Sequence, residues 1–511
     1  MRPTDGLDRG AHEHPDQIAL ICGEESITYV QLRDLSCRIA QTLGVHGFRP
    51  GDHGAVLAPN DIDGFACALG LMRAGLTWIP LNPYDAIPQV GQLLQRLDAD
   101  VLFLHSAYRE HTDALSEAAP GIREMIIYDT DLDSWLGDAP AEDVSGPGIG
   151  DPDAIAAIYP TSGTTGLPRG VMHDNRRFAF FISALSQQVQ YDADQPTVFL
   201  AAAPLTHVSG RIALATLYRG GTVVILHRPA LDTLLDTLER HRVDTTMLPP
   251  TVLYAIVDMP GIEQRRFPAL RQLIYGAAPM RLDKLEQALK LFGPIMRQGY
   301  GQTEAPMLIT ALPAEEHFVD GKLAPEQRLS SIGRPTSVST VAILGDDGHE
   351  LAQGEVGEIC VRGEFVMVGY YKDPEATAEV SRGGWHHTGD AGYIDAEGYI
   401  HLVDRKKDLI ISGGFNVYPA EVERVIGAVP GVAEVAVIGV PDQRWGEAVT
   451  AVVVAKPGQT VDEQQIIDHT KATLGSVKAP KHVDVWDVLP RNATGKVLKR
   501  AIREHYEQAG A

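Results

Sequence analysis

The sequence predicts an α/β chain: a large N-terminal domain of layered sheets and helices, followed by a small α+β C-terminal domain. Three observations predict it. Short β-rich runs (TVFLAAAP, GTVVILH, LRQLIYGAAP) alternate with amphipathic helices, the pattern of largely parallel sheets. After about residue 340 the runs VAILGDDGHEL and GEICVRG instead read as short antiparallel strands with an Asp-Gly turn between them. The last stretch, about a hundred residues, carries its own pattern and is long enough to fold alone.

Taken in order, the apolar segment GFACALGLMRAGLTWIP contains Arg73 and is too short and interrupted to span a bilayer. Helical periodicity is clear over 229–241, with Leu231, Leu234, Leu235 and Leu238 on one stripe, and again over 281–292. In the C-terminal unit a helix starts at YPAEVERVI, strands follow at VAEVAVIGV and AVTAVVVAK, and a helix lies near VDEQQIIDHTKATL. The stretch DRKKD (404–408) reads as a hinge, because such residues stay solvated in either orientation, or as an ordinary solvated turn.

A length of 511 residues suggests two to four domains. Net charge is −23 with no basic run, which argues against a nucleic-acid surface and leaves room for a local cationic pocket. Cys22, Cys37, Cys67 and Cys360 are scattered, with no CxxC and no metal-like spacing. That suits reduced, half-buried thiols in a cytoplasmic protein. The first residues show no apolar signal-peptide core.

Chemistry concentrates in a few short stretches. In TSGTTGLPRG, Gly163 and Gly166 let backbone N–H groups line an anion-binding concavity after an apolar strand. Thr161, Ser162, Thr164 and Thr165 add hydroxyl donors, and Arg169 adds positive charge for a polyphosphate. Pro168 stands where a GxxxxGK[ST] loop needs its second glycine, so the cradle is of another kind. In YGQTEAP, Thr303 can donate to a phosphate oxygen and Glu304 can ligate Mg²⁺; the plain alternative is a helix N-cap with an acidic first turn. Asp390 in WHHTGD suits a ribose diol, or simply forms a turn. Lys496 in RNATGK can neutralise phosphate, or be merely solvated.

Together and in this order, these motifs resemble those of the AMP-forming adenylating superfamily of acyl-CoA synthetases, adenylation domains and luciferases. The likeness runs from ITYVQLRDLSCRIAQTLGVHGFRPGD through YPTSGTTGLPRGV, PLTH, YGQTE, HTGD and DRKKDLIISGGFNVYP to RNATGK. It implies an N-terminal AMP- and acyl-binding domain over 1–403 that includes a small β-barrel-like subdomain, a hinge at 404–408, and a mobile C-terminal lid over 409–511.

The resemblance also implies roles. Thr161 to Gly170 match the phosphate loop, with Arg169 in place of its usual lysine, and Gly276, Ala277 and Ala278 match the adenine strip beside the stacking ring of Tyr300. Thr303 and Glu304 match the phosphate and magnesium positions, Asp390 and Arg405 the ribose positions, and Lys496 the lysine bridging acyl carboxylate and α-phosphate. Lys407 matches the hinge residue, and Gly413 and Gly414 of GGFN border a pantetheine tunnel. His207 of PLTH, where Thr206 replaces a common aromatic, falls at the meeting of the acyl and thiol channels. The acid pocket then draws on His207, Val208, Ser209, Tyr275, Gly299, Gly301, Ala305 and Met307, a mostly apolar or small set.

Arg211, four residues after His207, could meet a polar group on the acid, but a surface salt bridge is the plainer assignment. Trp445 could stack on the adenine of coenzyme A, with Lys478 and Lys481 on its phosphates; each is as easily structural or solvated.

The expected activity is ATP-dependent, AMP-forming ligation of a hydrophobic carboxylic acid to coenzyme A, with Mg²⁺. The partners are small molecules, with no nucleic acid and no transmembrane segment; a homodimer stays open. The alternatives are an enzyme loading a carrier protein and a non-catalytic nucleotide sensor. No Asp near the pocket could hold an amino group, which argues against amino-acid loading, and the intact set of polar residues argues against a sensor.

Overall fold

Val101–Leu104 and Thr77–Pro80 are buried at every position, because strands covered by helices on both faces have no wet side and their sequence does not alternate. The computed structural model describes residues 2–161, 169–188, 196–227, 230–405, 408–413, 415–442, 444–491 and 497–509. The chain divides into two compact units. The first is Met1–Leu329, Pro335–Thr340 and Arg362–Glu379; the second is Ser330–Arg334, Val341–Val361 and Val380–Ala511.

In the first unit one sheet runs, in spatial order, Ala305–Leu312, Met296–Gln302, Gln272–Gly276, Thr245–Leu248, Val198–Ala201, Thr222–Ile225, Ile18–Cys22 and Glu25–Thr28. Its inner pairs are parallel and its two outer pairs antiparallel. A second sheet runs Gly369–Tyr370, Arg169–Asp174, Ile155–Thr161, Thr77–Pro80, His53–Leu57, Val101–Leu104 and Glu124–Ile127. The expected leucine stripe becomes the helix Leu231–Arg240, with Leu234, Leu235 and Leu238 packed into the first sheet's core and Leu231 half-buried against it. The second expected helix is Leu282–Phe292.

In the second unit the antiparallel strands Gly357–Arg362, Trp385–Ile394 and Ile400–Arg405 form a small sheet. The long hairpin Val432–Asp442/Gly446–Ala455, with Pro419–Gly427 and Glu463–Leu474, builds a separate core around Val422, Ile426, Val437, Val449 and Ile466. Two expectations change here. Asp408, in the stretch read as solvated, is buried and pairs with Arg503 at 2.9 Å. The cysteines are more enclosed than expected: only Cys22 is half-buried, and Cys37, Cys67 and Cys360 are fully buried.

The apolar segment around Arg73 forms the helix Ile62–Arg73, capped by Asp61, whose carboxylate accepts from the Gly64 N–H at 2.6 Å. Among the described residues no helix is long and apolar enough to cross a membrane. Arg73 itself is fully buried and bonds Asp8 at 2.6 Å, Asp143 at 2.8 Å and Ser36 at 3.0 Å. Arg73→Ala should lower unfolding free energy by about 2–4 kcal/mol; both carboxylates keep contact with water and with Arg2, which softens the loss of a buried pair. Urea denaturation measures it, and an unchanged midpoint contradicts it.

Candidate active site

The threonine-rich stretch is flanked by two antiparallel strands, Ile155–Thr161 and Arg169–Asp174. Thr161 ends one strand and Arg169 begins its antiparallel neighbour, the two residues are cross-strand partners, and Thr161 Oγ1 donates to the Arg169 carbonyl at 3.3 Å. Ser162, Gly163, Thr164, Thr165 and Gly166 lie outside the described residues.

From this strand pair a chain of contacts leads to Glu304. The Arg169 guanidinium lies 5.1 Å from the Tyr370 ring centroid and 3.6 Å from Asp373, and the Tyr370 hydroxyl donates to Glu304 Oε1 at 2.8 Å. Burial, then the Glu304 charge, raises the Tyr370 hydroxyl above its ordinary range, so it stays a proton donor. Among the described residues no cation pairs with Glu304, whose Oε1 takes the Tyr370 hydroxyl. Beside it, His173 Nε2 donates to the Thr303 carbonyl at 2.9 Å, and burial holds the imidazole neutral. Sequence reasoning missed Tyr370, Asp373 and His173. GYYKDP and VMHD carry no local pattern that announces a role, because their role comes from strand pairing.

Gly276 ends its strand opposite Gly299, and a Cβ at Gly276 would stand 2.3 Å from the Gly299 carbonyl oxygen, so no side chain fits. Ala277 and Met307 both adopt left-handed backbone (φ +66° and +51°), a strain of about 1–2 kcal/mol each that L-residues rarely hold. Tyr300 sits on the next strand opposite Thr310, between Gly299 and Gly301, with Ala305 fully buried; Ala278 is half-buried. Tyr275 is buried with its hydroxyl 2.8 Å from His317 Nε2.

His207 caps the helix Val208–Tyr218; Val208 is half-buried and Ser209 fully buried. His207 Nε2 is buried with no hydrogen-bond partner, and burial pulls the imidazole down to about 4. Arg211 corrects its expected surface salt bridge. It is 4% exposed, stands over the rings of Tyr159, Phe178 and Phe181, and has no carboxylate partner among the described residues.

The low His207 value sets a pH dependence. Between about pH 6.5 and 4 the unfolded chain binds a proton at this position and the native chain does not, so stability falls as pH drops through that window. His386, also pulled down to about 4 by burial, adds in the same direction. Urea unfolding at pH 5.0 should give on the order of 2 kcal/mol less per histidine than at pH 7.5. His207→Gln should flatten the slope, and an identical slope in that variant contradicts the assignment.

In the second unit Asp390 and Arg405 are direct cross-strand partners, with the Asp390 N–H donating to Thr388 Oγ1 at 3.1 Å. Lys407, Gly414 and Lys496 lie outside the described residues. Gly413 turns the hairpin Ile410–Ser412/Phe415–Val417 at φ +59°, its N–H on the Trp445 carbonyl at 2.7 Å. Arg444 and Lys481 each stand 5.0 Å from the Trp445 ring. Lys478 pairs with Glu421 at 2.7 Å, and Lys481 donates to the carbonyls of Ser476, Val477 and Ala479, so both lysines take structural partners. The small sheet also brings Cys360 Sγ to 3.3 Å from His387 Nδ1, which is 3.1 Å from Glu358 Oε2, a juxtaposition invisible to sequence spacing.

The model of the AMP-binding enzyme family matches residues 7–371, and that of the AMP-binding enzyme C-terminal domain matches residues 421–496. The medium/long-chain-fatty-acid–CoA ligase FadD8 of Mycobacterium tuberculosis is 41% identical over 367 residues, 70% of this chain and 63% of that protein, so the match spans under two thirds of that relative. A feruloyl-CoA synthase from Amycolatopsis sp is 35% identical over 98% of both chains. ATP-bound MatB from Rhodopseudomonas palustris superposes with a TM-score of 0.89 at 30% identity over 99% of each chain. The amide bond synthetase McbA from Marinactinospora thermotolerans gives 0.86 at 30% identity over 99% of this chain and 100% of its own.

Proposed function

The chain belongs to the AMP-binding enzyme family, and from that premise we propose that it activates a hydrophobic carboxylic acid with ATP to an acyl-adenylate. It then passes the acyl group to coenzyme A, releasing AMP and pyrophosphate. What supports this reading most is the Arg169–Tyr370–Glu304 chain, which joins the base of the polyphosphate loop to the carboxylate assigned to the metal.

A carboxylate and a triphosphate are both anionic, and in-line attack on the α-phosphorus requires their repulsion to be lowered. Bound Mg²⁺ would neutralise phosphate charge at Glu304. The chain's own residues do the rest: the loop hydroxyls, Thr303 and Arg169 hold phosphate oxygens, and Lys496 holds the acyl carboxylate against the α-phosphate. Gly276, Ala277, Ala278 and Tyr300 take the adenine, and Asp390 and Arg405 the ribose. A neutral His207 can contact acyl or thiol without repelling a cation or attracting a stray proton. Residues 404–408 are the hinge, with the lid over 409–511. Four free cysteines fit work in the reducing cytoplasm.

Pyrophosphate release with a panel of fatty and aromatic acids, with and without coenzyme A, tests the proposal. Acid-dependent release coupled to thioester formation is expected. Release with no acid in the panel points to a sensor. Adenylate that accumulates whether or not coenzyme A is present points to a carrier-protein acceptor, the chemistry named for ScoC of Streptomyces coeruleorubidus, 32% identical.

A further inference from the structure

We propose that Arg211 is an anion receptor within the first unit, holding a carboxylate or phosphate oxygen of a bound reactant. The choice of those two sources rests on the acyl-adenylating reading above. The Arg211 guanidinium lies 4.1 Å from the Tyr159 ring centroid, 5.3 Å from that of Phe181 and 5.7 Å from that of Phe178. Among the described residues nothing neutralises it, and the nearby Tyr159 hydroxyl makes no hydrogen bond of ordinary geometry.

Arg73 shows how the same fold buries a guanidinium when only stability is at stake: two carboxylates and a hydroxyl surround it. Arg211 has no carboxylate among the described residues, only the neutral hydroxyl of Tyr159 beside it. Aromatic faces return only part of the cost of desolvating a charge. Burial pulls the group down from its ordinary value, but a guanidinium does not give up its proton in a protein, so the charge stays.

The surroundings select the ligand. Trp78 meets the Tyr159 ring at 5.8 Å, and its Nε1 is buried without an acceptor. Indole and guanidinium nitrogens only donate, and hydroxyls can donate, so the set calls for a group rich in acceptors. An anionic oxygen group meets that need; an amine does not.

Position names the two sources. Tyr159 lies two residues before Thr161, on the strand that leads into the polyphosphate loop, and the guanidinium acts electrostatically on His173, which bonds the Thr303 carbonyl. On the other side stands the helix that carries Ser209 of the acid-binding set. A triphosphate or pyrophosphate oxygen would approach Arg211 from the first side, and a second carboxylate on the acid from the second.

The test uses the full chain with Arg211→Met, of similar length but neutral, and Arg211→Lys, which keeps the charge and loses the fork. Inorganic pyrophosphate, adipate and hexanoate serve as probes, read by thermal shift and calorimetric affinity. Wild type should bind adipate or pyrophosphate more tightly than hexanoate. Arg211→Met should weaken that anion about 10- to 100-fold while leaving hexanoate unchanged, with Arg211→Lys between. Selective loss of adipate assigns the carboxylate, and selective loss of pyrophosphate the phosphate. The unliganded Arg211→Met protein should melt no lower than wild type, since an uncompensated charge is removed.

Wild type that prefers neither anion overturns the proposal, as does Arg211→Met with both affinities within about twofold of wild type. If Arg211→Met does not fold, Arg211→Lys is read alone, and unchanged affinities in it overturn the proposal. Absence of acid-dependent pyrophosphate release in wild type overturns the ligase reading instead, and leaves these binding measurements to decide Arg211.

Discussion

Lys496→Ala should cut acyl-adenylate formation by about 10²- to 10³-fold and leave conversion of supplied acyl-adenylate to thioester near wild-type rate. Two unit charges 4 Å apart at an effective dielectric near 20 interact by about 4 kcal/mol, which is the scale of the repulsion between an incoming carboxylate and the α-phosphate. A lysine placed between them offsets most of that repulsion, and only while the mixed anhydride forms. Once it exists, the thiol attacks a carbonyl and no second anion approaches. The split between half-reactions is therefore the diagnostic. Single-turnover assays of each step, with ATP and acid in one and synthetic acyl-adenylate and coenzyme A in the other, measure it. Equal loss in both would remove Lys496 from its assigned role.

Lys407→Pro should do the opposite. Proline fixes φ near −65° and removes one N–H, so a residue that must change its backbone dihedrals between two steps is frozen. Adenylation should stay within about twofold of wild type, while thioester formation falls by at least about 10²-fold. Normal thioester formation in this variant would show that residue 407 is not where the chain turns.

Much of the scaffold was legible because it follows local rules. The stripe of Leu234, Leu235 and Leu238 gave a helix, and the β-branched runs gave strands close to where they lie. The motifs also announced Thr161, Arg169, Thr303 and Glu304 as residue types suited to polyphosphate. What the sequence did not disclose was how Glu304 is tied to the loop base, because Tyr370 reaches it through the pairing of Gly369–Tyr370 with Arg169–Asp174. Arg211 was misread for a similar reason. The four-residue spacing from His207 is local, but Phe178 and Phe181, which bury it, come from a different helix, Asn175–Gln188, earlier in the chain. Asp408 was misread because its partner Arg503 lies on the C-terminal helix.

The direct pairing of Asp390 with Arg405 limits how this part of the molecule can evolve. A one-residue insertion or deletion in Trp385–Ile394 or Ile400–Arg405 would slide the ladder so that residue 405 no longer stood opposite Asp390, unless a second irregularity like the one between Ala391 and Gly392 absorbed it. Point changes around the pair leave that register in place; changes of length shift it. Homologous chains that keep the activity should therefore vary in length in the turn at residues 395–399, and hold the spacing from each of these two residues to that turn constant.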